Sequence, residues 1–189
     1  VDDMIKNIKL KTINGKKTPY YSRWCDMKSR CYNKKCQDRD VVYKDIIVCE
    51  QWHNFQNFAQ WFEQNFNSEI MKGWQLDKDI LVKGNKIYSP ETCCFVPKEI
   101  NILFAKRKSK RGKFPIGVTY HSRDLKFMAR IIKYGKIHHL GYFDSPEEAF
   151  EAYKIAKEGY VKEVANKWHG QISQHCYNAL INYKVEITD

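Results

Sequence analysis

The sequence predicts an α+β protein, with a helical N-terminal part followed by a three-stranded antiparallel sheet packed on one helix. Three observations carry this expectation. Apolar residues recur at spacings of three and four along two N-terminal stripes, they alternate with period two in the C-terminal half, and a capped helix start follows at Ser145. At 189 residues the chain has room for one medium domain or two small ones.

The first stripe runs through Tyr21, Trp24, Cys25, Lys28, Cys31 and Tyr32, and the second through Trp52, Phe55, Phe58, Ala59, Phe62 and Phe66. Between them the β-branched segment from Val41 to Cys49 predicts a short strand. A turn-rich zone follows from Trp74 to Phe104. Lys83-Gly84-Asn85-Lys86 reads as a turn between Leu76–Leu81 and Ile87–Tyr88, and Ser89-Pro90-Glu91 as a helix start or a tight turn. Lys106, Arg107, Lys108, Lys110, Arg111 and Lys113 then form a basic run with no acid in it. It marks a boundary, as a solvated linker or as one lying along a phosphate backbone; the basic zone beyond it favours the second.

In the C-terminal zone, Ile116–Tyr120, Lys126–Lys133 and Lys136–Gly141 read as strands, with turns at Ser122–Leu125 and Tyr134-Gly135. Ser145 is the N-cap of the helix, Pro146 its first residue, and Glu148 completes a capping box. Ala149, Ala152, Tyr153, Ala156 and Tyr160 form its buried stripe. Period two sends Phe127, Ala129 and Ile131 toward the helix, and Lys126, Met128, Arg130 and Ile132 to a face that nothing else in the sequence covers.

Charge sharpens the functional reading. The formal net charge is +11 and the pI about 9.2, and from Ala105 to Leu140 eleven Lys or Arg stand against one acid, Asp124. Such a distribution suits nucleic-acid phosphates, from which cations release condensed counterions. No window approaches the length of a membrane span, and the polar first residues do not read as a signal peptide, so no membrane partner is expected. Seven scattered Cys do not form a disulfide framework, which fits a reduced, cytoplasmic setting. Cys25, Cys31 and Cys36 lack a zinc-knuckle spacing, and adjacent Cys93-Cys94 cannot easily share one ion; buried thiols fit better, Cys31, Cys49 and Cys93 among them. His138 and His139 fall on opposite faces of a strand, so a shared metal is not expected.

Gly117-Val118, Lys126-Phe127-Met128-Ala129-Arg130-Ile131, Leu140-Gly141-Tyr142-Phe143-Asp144-Ser145, and Glu147-Glu148-Ala149 to Ala152-Tyr153 together resemble the AP2 domain over about 45 residues. The resemblance implies a three-stranded sheet on one helix, inserted in the DNA major groove. It assigns DNA-facing positions to Thr119, His121, Arg123, Lys126, Arg130, Ile132, Ile137 and His139. Arg123 and Arg130 are the candidates for guanine edges, and Lys133 and Lys136 for phosphates. With Arg107, Lys110, Arg111 and Lys113 of the basic run, these make up the expected DNA-binding set. Plant members carry Arg or Trp at several positions where this chain has Thr119, Ile132, Ile137 and His139, so the base sequence read is left open.

The upstream part resembles the N-terminal region of phage HNH-type and AP2-domain homing endonucleases. The matching words are Trp24-x-x-Met27-Lys28-x-Arg30-Cys31-Tyr32-Asn33, Ile47-x-Cys49-Glu50-x-Trp52, Leu76-Asp77-Lys78-Asp79-Ile80 and Tyr88-Ser89-Pro90-Glu91-Thr92-Cys93. The implied layout is an HNH-like nuclease-derived module over 1–104, a linker over 105–114, an AP2-like domain over 115–160, and a helical extension over 161–189 that ends in a short strand. An HNH-type site needs a general base and oxygen or nitrogen ligands on a divalent metal. Asp77, Asp79, Asn85 and Glu91 are the catalytic candidates, with Asp77, Asp79 and Glu91 as ligands for Mg²⁺ if the site is active. Against that, Lys78 stands where a His or Arg would follow the first Asp, Thr92 where relatives have Asn, and no His lies between His53 and His121.

Two functions therefore stay open. One is a phage or mobile-element endonuclease addressed to double-stranded DNA inside a bacterial cell. The other is an inert descendant that acts by binding, as a DNA-binding regulator or as an inhibitor docked on the nucleic-acid channel of a host defence nuclease.

Overall fold

The computed structural model describes residues 9–104 and 113–189. The chain divides into two compact units, Val1–Lys98 and Glu99–Asp189. It is a mixed α+β protein, as the sequence predicts.

In the first unit, strands β1 (Thr12–Ile13) and β2 (Lys16–Lys17) form a hairpin across Asn14-Gly15. Helix α1 (Pro19–Tyr32) follows, then α2 (Lys34–Arg39), β3 (Ile47–Val48), α3 (Glu50–His53) and α4 (Phe55–Asn65). The second aromatic stripe is one surface but two helices. The Asn54 side chain accepts from Gln56 N and starts α4 afresh. Trp52, Phe55, Phe58, Ala59 and Phe62 are buried, and Phe95 closes the cluster at 5.2 Å from Phe62. The first stripe is less interior than its spacing suggests. Met27 and Cys31 are the buried residues of α1, whereas Tyr21 and Trp24 rest half-buried on Phe55 and Tyr32 is exposed.

Strands β4 (Gln75–Asp77), β5 (Ile87–Tyr88) and β6 (Cys94–Val96) complete this unit. The segments flanking the turn at residues 83–86 do not pair with each other. β4 pairs antiparallel with β6, and β5 pairs parallel with β3. Ser89-Pro90-Glu91 is a tight turn, closed by Cys93 N donating to Ser89 O at 3.0 Å, and it leads into a strand.

The second unit begins in α5 (Lys98–Leu103). Strands β7 (Val118–His121), β8 (Lys126–Lys133) and β9 (Lys136–Phe143) form the expected antiparallel sheet, in the order β7-β8-β9. Helix α6 (Pro146–Lys167) packs on it, and Ser145 Oγ accepts from Glu148 N as the capping pattern predicts. The helix runs unbroken past Tyr160. Its buried side includes Phe150, Val161, Val164 and Ala165 besides Ala149, Tyr153 and Tyr160, while Ala152 and Ala156 are half-buried. The stripe is broader than expected because α6 serves two partners, the sheet and α7 (Gln174–Ile181). Beyond α7 the chain has no regular strand, in contrast to the expected short one; Val185 is buried there and its N donates to Glu158 Oε1 at 3.0 Å.

Among the described residues no helix is long and apolar enough to cross a membrane.

Candidate nucleic-acid interface

Sheet register separates two faces, since cross-strand partners share a face. Val118, Ala129 and Gly141 lie on one, with Tyr120, Phe127 and Phe143 and then Ile131 with His138. Ala129 and Ile131 are buried here, beneath α6. The other face carries Thr119, Met128 and Tyr142, then His121 with Lys126, Arg130 with His139, and Ile132 with Ile137. It is open toward the hairpin end, where Ile132 is 59% exposed and Ile137 55%, and at Tyr142, 53% exposed, whereas Met128, expected on the uncovered face, is buried between its neighbours at 9%.

Two backbone features hold this plate. Gly117 has φ +81° just before β7, and a Cβ there would meet the Tyr153 ring at 2.0 Å, so α6 approaches the strand entry closely because this position has no side chain. At the far end Tyr134 (φ 48°) and Gly135 (φ 76°) form a two-residue hairpin turn. The Tyr134 N–H donates to Tyr160 Oη at 2.9 Å, its hydroxyl donates to Glu163 Oε1 at 2.9 Å, and its ring stands edge-on to Tyr160 at 5.2 Å.

The expected DNA-binding residues sort by this geometry. Thr119, His121, Lys126, Arg130 and His139 share the open face. Arg130 is exposed and has no ion pair among the described residues, and its backbone N donates to Gly117 O at 3.0 Å. Lys126 pairs with Asp144. His121 Nδ1 lies 3.2 Å from Asp124 Oδ2, and Arg123 Nε lies 3.2 Å from Asp124 Oδ1 in the turn beside it. Lys133 and Lys136 face each other at the hairpin end on the helix side, with Lys133 Nζ 5.5 Å from the Tyr160 ring centroid. Lys113 is exposed, while Arg107, Lys110 and Arg111 lie outside the described residues. His138 and His139 point to opposite faces, as expected.

Tyr142 is a residue of this face that period-two counting misses. A register shift between Ala129 and Arg130 leaves Leu140 without a partner on β8. This bulge reverses the alternation and brings Tyr142 beside Met128 and edge-on to His121 at 5.6 Å. The glycine inside the strand, Gly141, was the available signal.

The second candidate site is the loop after β4. Asp77 Oδ1 accepts from Asp79 N at 2.7 Å and Ile80 N at 2.8 Å, and burial pushes its carboxyl above the usual carboxylate range. Lys78 is buried. Its ammonium bonds Asp79 and, at 2.9 Å, Asn85 O, and sits 5.9 Å from the Tyr88 ring centroid. The Asn85 side chain donates to Lys78 O and Ile87 O, and accepts from Ile87 N. Thr92 Oγ1 donates to Ile87 O at 2.8 Å. Glu91 is exposed, and a hydrogen bond with Ser89 holds its carboxyl below the ordinary value.

These residues do not fit a divalent cation as arranged. Asp77 Oδ1 is engaged by two N–H groups of the loop's own turn, a buried ammonium holds Asp79 Oδ1, and Glu91 is exposed with a hydrogen bond to Ser89. Among the described residues no three His, Cys, Asp or Glu are grouped to hold a metal. The seven cysteines are free thiols; Cys31, Cys93, Cys94 and Cys176 are buried, and burial pushes Cys31 up to about 11.

No protein-family model, curated protein or solved structure matches this chain.

Proposed function

We propose that the protein binds double-stranded DNA through the open face of β7-β8-β9, in the manner of an AP2-like domain, and that it acts by binding rather than by cutting. One observation carries this reading. α6 covers one face of the sheet, and the other presents Arg130, exposed and without an ion pair, among Lys126, His121 and His139. From Lys113 to Phe143 six Lys or Arg stand against one acid, so the surroundings favour a polyanion. A planar guanidinium at the centre of such a face suits the O6 and N7 edge of guanine. The binding-only part rests on the loop after β4, where Lys78, Asp77 and Asn85 spend their polar atoms on each other and on the backbone.

The test is selection of bound duplexes from a random library, followed by anisotropy titrations with Arg130→Ala. Losing one bidentate base contact costs about 1–3 kcal/mol, roughly 5- to 150-fold, together with relaxed preference at one position. Unchanged affinity and preference in the variant refute the reading. In parallel, supercoiled plasmid with Mg²⁺ should stay intact; nicking that disappears in Asp77→Ala would overturn the binding-only part.

A further inference from the structure

The first unit carries a second cationic surface, on the β1–β2 hairpin and the adjoining side of α1. From Lys9 to Cys25 the chain has five Lys or Arg and no acid. Two of them are engaged: Lys9 pairs with Glu63 at 2.6 Å, and Arg23 donates to Trp74 O at 2.6 Å. Lys11, Lys16 and Lys17 are exposed, with no ion pair among the described residues. Asp26 lies two positions past Trp24, which places it on another side of the helix.

What holds this surface is aromatic. Tyr21 and Trp24 stack at 5.9 Å with 23° between their planes, and both stand edge-on to Phe55, at 5.2 and 5.6 Å. Trp24 Nε1 donates to Trp52 O at 2.7 Å, so the pair is fixed to the core. Lys11 and Lys17 each place Nζ 5.8 Å from the Tyr21 centroid, and Lys28 places Nζ 4.6 Å from that of Trp24. A neutral ring attracts an ammonium without cancelling its charge, unlike a carboxylate. Three cations are thus gathered with their charge whole and part of their side-chain entropy already spent. The rings lie half-buried against one another and Phe55, with the ammoniums beside them.

We propose that this surface binds the phosphodiester backbone of nucleic acid, without reading sequence, as a contact separate from the sheet face. The proposal stands on its own observations and does not depend on the sheet's role. Each phosphate neutralised on duplex DNA steepens the log–log salt dependence by about 0.9.

The experiment uses the full chain in anisotropy titrations over a series of KCl concentrations, with a labelled duplex and a labelled single strand of equal length. Lys11→Gln/Lys17→Gln/Lys28→Gln is compared with Lys34→Gln/Lys35→Gln/Lys72→Gln, which removes the same charge from exposed positions elsewhere in this unit. The patch variant should lose roughly 2 to 3 from the duplex slope, the control less than about 1, and Lys→Arg at the three patch positions should restore the slope. Equal losses in the two Gln variants, or none in the patch variant, overturn the proposal. So does a failure of both oligonucleotides to bind. Arg130→Ala should change sequence preference and leave the patch's share of the slope in place, so failure of either surface is told from failure of the other.

Discussion

Gly117 and Gly135 make a matched pair for testing how the sheet is held. Both have positive φ, +81° and +76°, so alanine at either meets the same backbone penalty, about 1 kcal/mol at the low end of the left-handed range. They differ in what a Cβ would touch. At Gly135 nothing lies within 4 Å, whereas at Gly117 the Tyr153 ring atoms lie at 2.0, 2.3 and 2.6 Å, and Tyr153 is buried. Its ring cannot step aside without repacking α6 against the sheet, an overpacking cost of about 1–3 kcal/mol. Gly135→Ala should therefore destabilise the second unit by about 1 kcal/mol, and Gly117→Ala by about 2–4 kcal/mol. Four of the five Trp lie before Lys98, so whole-protein fluorescence reports mainly on the first unit. Amide hydrogen exchange at Ala129 and Ile131, inside β8, reports on the right one. A penalty of about 3 kcal/mol lowers protection there by roughly 150-fold. Equal effects of the two substitutions would refute the close approach of Tyr153 to the strand entry.

Two further outcomes follow from the same unit. Burial pulls the Lys157 ammonium down to about 8, and its Nζ donates to Leu103 O at 2.7 Å. Between about pH 8 and 10.5 the unfolded chain then holds a proton that the folded one has lost, so stability rises with pH across that window, by up to about 3 kcal/mol. Lys157→Met should flatten the rise in urea melts followed by exchange; an unchanged profile would exclude Lys157 as its source. Ser145→Ala removes the acceptor for Glu148 N and should cost about 1 kcal/mol, read as faster exchange in the first turn of α6, with no change there counting against the cap.

Local signals were legible where a local cause decides the outcome. Ser145-Pro146 and Glu148 start α6 through a hydrogen bond three residues long, and Tyr134-Gly135 closes a two-residue turn. Alternation along β8 is correct because β9 pairs with it from Phe127 to Lys133 and the extra residue of the bulge, Leu140, lies on β9 rather than on β8. Partner choice was not legible. Ile87–Tyr88 follows Leu76–Leu81 closely, yet β5 pairs with the distant β3, because pairing is decided by tertiary packing rather than by the turn between segments. The same holds at the Leu140 bulge, where one residue without a partner moves Tyr142 across the sheet. Of the candidate sites, the open face could be counted out residue by residue. The loop after β4 could not, since nothing in a row of Asp and Asn tells whether their oxygens are aimed at an ion or at neighbouring N–H groups.

The tie between Tyr134, Tyr160 and Glu163 has a thermodynamic consequence. It ties the tip of the hairpin to the last third of a 22-residue helix whose start is fixed near the other end of the sheet. The backbone entropy of bringing Arg130, His139 and Ile137 to one face is lost when the chain folds, not when a ligand arrives. Whatever the face takes up meets a surface already shaped, and more of the contact energy then remains as affinity.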